Sequence, residues 1–443
     1  MSVAPWYIVH IELTDPPSEV TPPPSANAIF AVYRYRGAVI GYDRFLPEEM
    51  PLKGAEVAPR AAGTLAYFAK QWLQLSPGME MPAWTPRADA AYWFPLRELP
   101  EDALARLDAA LDHRRSRPAP VTGTVAICTR HRPQQLAECL ASIAAECDGS
   151  REVIVVDNGP DAETEAVVRR YPHVRYVSET VPGLSRARNA AIREARGDVV
   201  IFVDDDVRPE PGWVEPILRA FSDPSVGVVC GLVLPLALDT QSQISFQFDL
   251  GFGGMGFVPL RFGQDFVRGG WRGVPVWTIG AGANMAVRRS ASDAIGGFNE
   301  AVGPGRSVGG SEDSEFWHRL LFAGHSIVYE PLSVVRHDHR RDQDAMSKQA
   351  YGYSAGHLVA LFAQFGENRD WGDLFRAFIT IPAWHIKRIM KQPYLKLRGR
   401  ADPQLWDWVR GYFKGLTAIR LAFSSPGALS AKGKNPNSSG RNG

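Results

Sequence analysis

From Val121 onward, short unbroken apolar runs alternate with stretches of helical spacing. Residues 125–129, 152–157, 174–177 and 199–203 read as buried strands, because such runs of β-branched and aromatic residues suit parallel strands covered on both faces. Residues 134–145, 161–171 and 184–195 read as helices; in the first, Leu136, Leu140 and Ile143 recur at about one helical turn. Strand–helix alternation of this kind predicts an α/β fold with a mostly parallel, doubly wound sheet. A helix over 213–222, a strand over 226–234, a strand entered through Gly280-Ala281-Gly282-Ala283, a helix over 312–324 and a short strand over 325–329 extend the pattern.

The pattern differs on either side of this unit. Residues 1–117 predict a small α+β accessory module, with a hairpin turning at Arg36-Gly37 and helices over 61–75 and 101–114. A basic, Pro-containing linker leads to the main domain, 121–345. Residues 346–423 read as a helical extension, and 424–443, rich in Ser, Gly and Asn, as a disordered tail. Residues 250–273 read as a Gly- and aromatic-rich loop. Its Phe252, Phe257, Phe262, Phe266 and Trp271 suit stacking on sugar rings and core packing equally.

Composition narrows the function. A chain of 443 residues suits two to three domains. With 49 Lys and Arg against 48 Asp and Glu, the net charge of +1 argues against bulk nucleic-acid binding. Four cysteines without a CxxC spacing read as reduced thiols in a cytosolic protein. No signal peptide and no spanning apolar run is evident, so the expected place is the cytoplasm, including the inner face of the membrane. The candidate membrane face is 381–391, where Trp384, Ile386, Ile389 and Met390 mix with Lys387, Arg388 and Lys391.

The chemistry lies at the strand ends: Thr129-Arg130, Asp157-Asn158 and Asp204-Asp205-Asp206. In open α/β sheets, ligands bind beyond the carboxyl ends of the strands. Three adjacent carboxylates repel one another and call for a hard divalent cation, Mn²⁺ or Mg²⁺, of the kind that bridges carboxylates to phosphate oxygens. The first strand is not followed by GxGxxG, and no GxxxxGK[ST] occurs, so a dinucleotide oxidoreductase and a P-loop enzyme fit poorly. Arg130, Arg186 and Arg188 are available to hold a diphosphate.

These residues, taken in order, resemble the family 2 inverting glycosyltransferases of the glycosyltransferase-A fold. The resemblance runs over about 122–355 and rests on Val125-Ala126-Ile127-Cys128-Thr129-Arg130-His131-Arg132-Pro133, Val155-Val156-Asp157-Asn158, Gly183-Leu184-Ser185-Arg186-Ala187-Arg188-Asn189, Phe202-Val203-Asp204-Asp205-Asp206, Gly282-Ala283-Asn284-Met285, Gly296-Gly297-Phe298-Asn299-Glu300, Glu312-Asp313 and His337. It implies that Thr129, Arg130 and Asp157 hold the base and ribose of a nucleotide sugar, and that Arg188 and Asn189 line the same pocket. It implies that Asp204 and Asp206 are the outer carboxylates of a DxD motif, with Asp206 on the metal, Asp204 beside the ribose, and Asp205 near the nucleotide or donor sugar. His337 matches the histidine that completes the metal site, with His339 as its rival. Asp313 of the Glu312-Asp313 pair matches the catalytic base; as an isolated observation, a carboxylate in a first helical turn is an ordinary cap.

The implied activity is metal-dependent transfer of a hexose-type sugar from a nucleoside diphosphate sugar to the hydroxyl of a glycan, a lipid-linked acceptor or a small molecule, as in polysaccharide or glycolipid biosynthesis. The alternatives are a nucleotidyltransferase, whose Lys-containing Gly-rich loop is missing, and a noncatalytic nucleotide-sugar-binding module. The 1–117 module lies outside the resemblance.

Overall fold

The computed structural model describes residues 3–73, 102–144, 149–250, 256–268, 270–306, 308–398 and 401–423. The tail 424–443, Phe252 and Cys147 lie outside them.

The N-terminal module has a three-stranded sheet, β1 (Trp6–Glu12), β2 (Ala28–Tyr35) and β3 (Ala38–Phe45), in the order β1-β2-β3, and a short antiparallel pairing of Glu19–Val20 with Leu52–Lys53. β2 and β3 form the expected antiparallel hairpin, whose turn residues Arg36 and Gly37 both have positive φ. β1, which the sequence reading did not identify, pairs parallel to β2. Helices α1 (Gly54–Leu73) and α2 (Ala103–Ser116) belong to the same unit; Ile29, Tyr33, Phe45, Phe68, Trp72 and Leu107 are buried together in one cluster.

The module docks firmly on the next domain. Trp6 N–H donates to Leu238 O at 2.9 Å. Arg34 Nη2 meets both carboxylate oxygens of Glu210, at 2.8 and 2.6 Å, and Arg114 pairs with Glu330. Charge-assisted hydrogen bonds of this kind are stronger than neutral ones.

The main domain is a nine-stranded sheet flanked by helices. Its strands are β4 (Gly123–Thr129), β5 (Glu152–Asp157), β6 (Val174–Ser178), β7 (Val199–Asp204), β8 (Val207–Pro209), β9 (Val226–Pro235), β10 (Leu260–Phe262), β11 (Asn284–Arg288) and β12 (Ser326–His337). The order is β8-β12-β9-β11-β7-β4-β5-β6, with β10 also paired to β12. Six strands run in one direction; β8, β10 and β11 are reversed. Helices α3 (Pro133–Ile143), α4 (Ala162–Val168), α5 (Leu184–Glu194) and α6 (Val214–Ala220) make the crossovers. Two apolar clusters are built from alternate residues of the strands: Ala126, Ile154 and Phe202 belong to one, and Val125, Val153 and Ile201 to the other. Burial on both faces is why these strands read as unbroken apolar runs.

Two expectations change. Residues 325–329 are not a short separate strand but the start of the twelve-residue β12, which continues to His337. The stretch 250–273 is not a single loop: it holds β10 and a helix, Gln264–Arg268. Phe262 and Phe266 stack edge-on inside the core, and Phe257 meets Tyr42 of the N-terminal module. These three rings serve packing. Beyond the sheet, α7 (Glu312–Phe322) packs against α8 (Gln343–Asn368), and α9 (Ile381–Leu397) and α10 (Leu405–Thr417) complete the helical extension.

Candidate active site

One edge of the sheet collects the polar strand ends. Register places Thr129 beside Asp157 and Cys128 beside Asp204. β11 is reversed, so the turn leading into it, with Gly282, lies at the same edge next to Val203. β12 runs with β9 and ends there too, because His337 pairs with Pro235. The short β8 folds back antiparallel on β12, setting Val207 opposite His337. Residues distant in sequence therefore meet at one rim.

Asp206 lies at the centre of this rim. Its Oδ1 is 3.4 Å from His337 Nε2, and its Oδ2 is 3.1 Å from Arg132 Nη1 and 3.8 Å from Arg340 Nη1. Burial alone would raise its pKa, but the charges of His337, Arg132 and Arg340 hold it below the ordinary carboxylate value. Asp205 accepts from Thr129 Oγ1 at 2.8 Å and from Arg132 at 2.7 Å. Burial and the neighbouring Asp206 push it up to about 6. Asp204 is half-buried, 3.7 Å from Arg188 Nη2, and its pKa is also raised by burial.

The two histidines have different places. His339 Nε2 meets Gln247 Oε1 at 2.9 Å, and its Nδ1 meets His337 Nδ1 at 2.8 Å. Burial, followed by the charge of His337, holds His339 down at about 2, so its ring is neutral. With the Nε2 hydrogen given to Gln247, His339 Nδ1 accepts from His337 Nδ1–H. His337 Nε2 faces Asp206 Oδ1 across 3.4 Å, and a carboxylate oxygen with an imidazole nitrogen is a donor set that Mn²⁺ accepts. The residues fit a divalent ion held by Asp206 and His337 at this rim.

At the first strand ends, Asp157 accepts from Tyr176 Oη at 2.9 Å through Oδ2. Among the described residues its buried Oδ1 has no hydrogen-bond partner, a place for a ligand N–H or O–H. Arg130 is exposed at the mouth. His131 is also on the surface, 3.2 Å from Asp161. The Cys128 thiol is pushed up to about 12 by burial, which removes it as a nucleophile.

On the other side, Asp313 lies in the first turn of α7. Gly282 N–H donates to its Oδ2 at 3.2 Å and Ser314 N–H to its Oδ1 at 2.7 Å. Glu312, beside it, is buried against Arg188 at 2.9 Å. Arg188 is buried too, its guanidinium near the rings of Phe298 and Phe202. It stands between Glu312 and Asp204 as an internal counter-charge, not as an open pocket-lining side chain.

Asn189 departs furthest from its expected place. Its Nδ2 donates to Phe298 O at 2.9 Å, and its Oδ1 accepts from Phe298 N–H at 2.8 Å. With both ends of the amide satisfied by the 298–300 turn, it fixes a loop and does not line the nucleotide edge. The residue the sequence reading passed over is Arg132, which bridges Asp205 and Asp206. Its signal was present as the second arginine of Arg130-His131-Arg132-Pro133, just before the proline that opens α3.

Residues 124–244 match the model of Glycosyl transferase family 2, and residues 199–397 that of Glycosyl transferase family group 2. The chain belongs to the family 2 glycosyltransferases. Among curated relatives, the pre-mycofactocin glycosyltransferase of Mycobacterium tuberculosis is 30% identical over 267 residues, covering 57% of this chain and 51% of that protein. The match thus spans about half the length of that relative. The succinoglycan biosynthesis protein ExoM of Rhizobium meliloti is 27% identical over 255 residues, covering 53% of this chain and 74% of its own. Among solved structures, the mannosyltransferase PcManGT from Pyrobaculum calidifontis, in complex with GDP-Man and Mn²⁺, aligns over 86% of this chain and 87% of its own, at 18% identity and a TM-score of 0.41.

Proposed function

We propose that this transferase moves a hexose-type sugar from a nucleoside diphosphate sugar to an acceptor hydroxyl, with inversion, in a metal-dependent reaction. The observation that carries the reading is the convergence at one sheet edge of the unpartnered Asp157 Oδ1, the facing Asp206–His337 pair and the Asp313 carboxylate. Asp157 and Thr129 receive the base and ribose, Arg130 stands at the mouth, and Asp204 takes the ribose side. Asp206 and His337 would hold the cation, which supplies charge stabilisation for the departing diphosphate. Asp313 takes the acceptor's proton as the new bond forms on the face opposite the leaving group. Arg188 and the backbone N–H of Gly282 and Ser314 hold that carboxylate and its neighbour Glu312 in place.

Release of nucleoside diphosphate from a panel of nucleotide sugars, measured with Mn²⁺ and with chelator, tests the reading. Metal-stimulated release from at least one donor is expected; no release from any donor under either condition would overturn it.

A further inference from the structure

The helical extension is built unlike the rest of the molecule. Twelve of the nineteen large apolar side chains exposed among the described residues fall within 371–423, so this is where uncovered apolar surface concentrates. The charge is equally uneven. Residues 381–423 carry nine Lys and Arg against two Asp, a net +7, in a chain whose total is +1. The remainder is therefore acidic, at −6.

Helix α9 shows the arrangement most clearly. Ile386, Ile389, Met390, Tyr394 and Leu397 are exposed, Met390 by 76% and Leu397 by 88%. At 100° per residue they fall within an arc of about 140°. Arg388, which pairs with Asp402 and covers the ring of Trp384, lies on the opposite side. Lys387 and Lys391 flank one margin of the apolar stripe and Lys396 the other, all exposed. Residues 381–398 contain no Asp or Glu. No helix among the described residues is long and apolar enough to cross a membrane.

We infer that α9 lies along an anionic lipid surface, its Ile386–Met390–Leu397 stripe in the acyl boundary and its flanking lysines on the headgroups. An apolar stripe between cationic margins is the pattern of an interfacial helix: the long Lys stems reach past the apolar face while the ammonium groups stay at the phosphates. Anionic lipid attracts each such cation within a Debye length. A second copy of this chain suits the face less well, because an isologous contact across the stripe would bring the lysine margins of both copies together.

Sedimentation of the full chain with vesicles tests this. Binding is expected to vesicles of phosphatidylglycerol and phosphatidylcholine in equal parts, to be at least about tenfold weaker with phosphatidylcholine alone, and to weaken as salt is raised. The triple variant Ile386→Ser, Met390→Ser, Leu397→Ser, with thermal unfolding unchanged because the three side chains are exposed, should lose at least about tenfold in vesicle affinity. Lys387→Glu with Lys391→Glu should lose the preference for phosphatidylglycerol. Absence of binding to either vesicle, equal binding to both, or full binding by the triple variant would overturn the inference. So would a dimer in light scattering that the triple variant abolishes, since that would assign the stripe to a second copy.

Discussion

His337 Nε2 lies 3.4 Å from Asp206 Oδ1 because β8 folds back onto β12, setting Val207 opposite His337. The pairing is locked at the next residue, where Asp338 N–H donates to Asp206 O at 2.9 Å. His339, held by Gln247, fixes the ring of His337 from behind. Removing the nitrogen that faces the carboxylate should therefore cost more than removing its support. His337→Ala is expected to abolish Mn²⁺ stimulation of donor cleavage. His339→Ala should weaken apparent Mn²⁺ affinity by about 10- to 100-fold while leaving the saturated rate largely intact, as outer-shell partners of metal-binding histidines do. A titration of activity against Mn²⁺ reads both; the reverse pattern would exchange the assignments.

In the proposed reaction Asp313 takes the acceptor's proton, and the backbone N–H groups of Gly282 and Ser314 aim its carboxylate. Asp313→Asn preserves size and the acceptor oxygen but removes the base. Transfer should fall by about 10²- to 10⁴-fold, the usual contribution of a positioned base. Donor binding, read as a thermal shift with nucleotide sugar and Mn²⁺, should stay within about twofold. Transfer at the unmodified rate would show that another group accepts the proton.

Gly282 is needed for space, not for backbone conformation. A Cβ there would stand 2.8 Å from Arg188 Nη2 and 3.1 Å from Asp313 Oδ2. Arg188 is buried and paired with Glu312, so it has little room to retreat. Gly282→Ala should displace Asp313 and lower kcat by about tenfold or more, because displacements near 1 Å at a reacting group carry costs of that order. Steady-state kinetics with saturating donor would report it; an unchanged kcat would mean that the 280–284 turn yields without moving the carboxylate.

How much of this was legible in the sequence depends on how local each contact is. Thr129, Asp157 and Asp204–Asp206 follow unbroken apolar strands, and that pattern alone places them at one edge. The Asp206–His337 contact depends on the pairing of the three-residue β8, too short to have a period. Strand β1 is only half-buried along most of its length, so it offered no clear alternation. Asn189 shares a helix with Arg188 but points one position round, toward Phe298, a difference of 100° that matching short motifs does not resolve. Arg132 was hidden because its partners, Asp205 and Asp206, follow a different strand.

Glu312 gives a prediction in pH. Burial, followed by the charge of Asp313, lifts it from its ordinary 4.5 to about 7, although Arg188 opposes the rise. Between those values the folded chain holds a proton that the unfolded chain has released. Stability from this group is thus fully present below about 4.5 and is lost as pH rises through about 7. Asp205, raised to about 6, and Asp373, raised to about 8, act with the same sign, so Glu312→Gln should flatten the trend without removing it. Across the window the slope reaches at most about 1.4 kcal/mol per pH unit for one proton. Apparent Tm of the variant should therefore fall by a few degrees less than that of the parent between about pH 5 and about pH 8. Parallel profiles for the two proteins would show instead that Arg188 keeps Glu312 ionised throughout, and that the buried pair behaves as a fixed salt bridge.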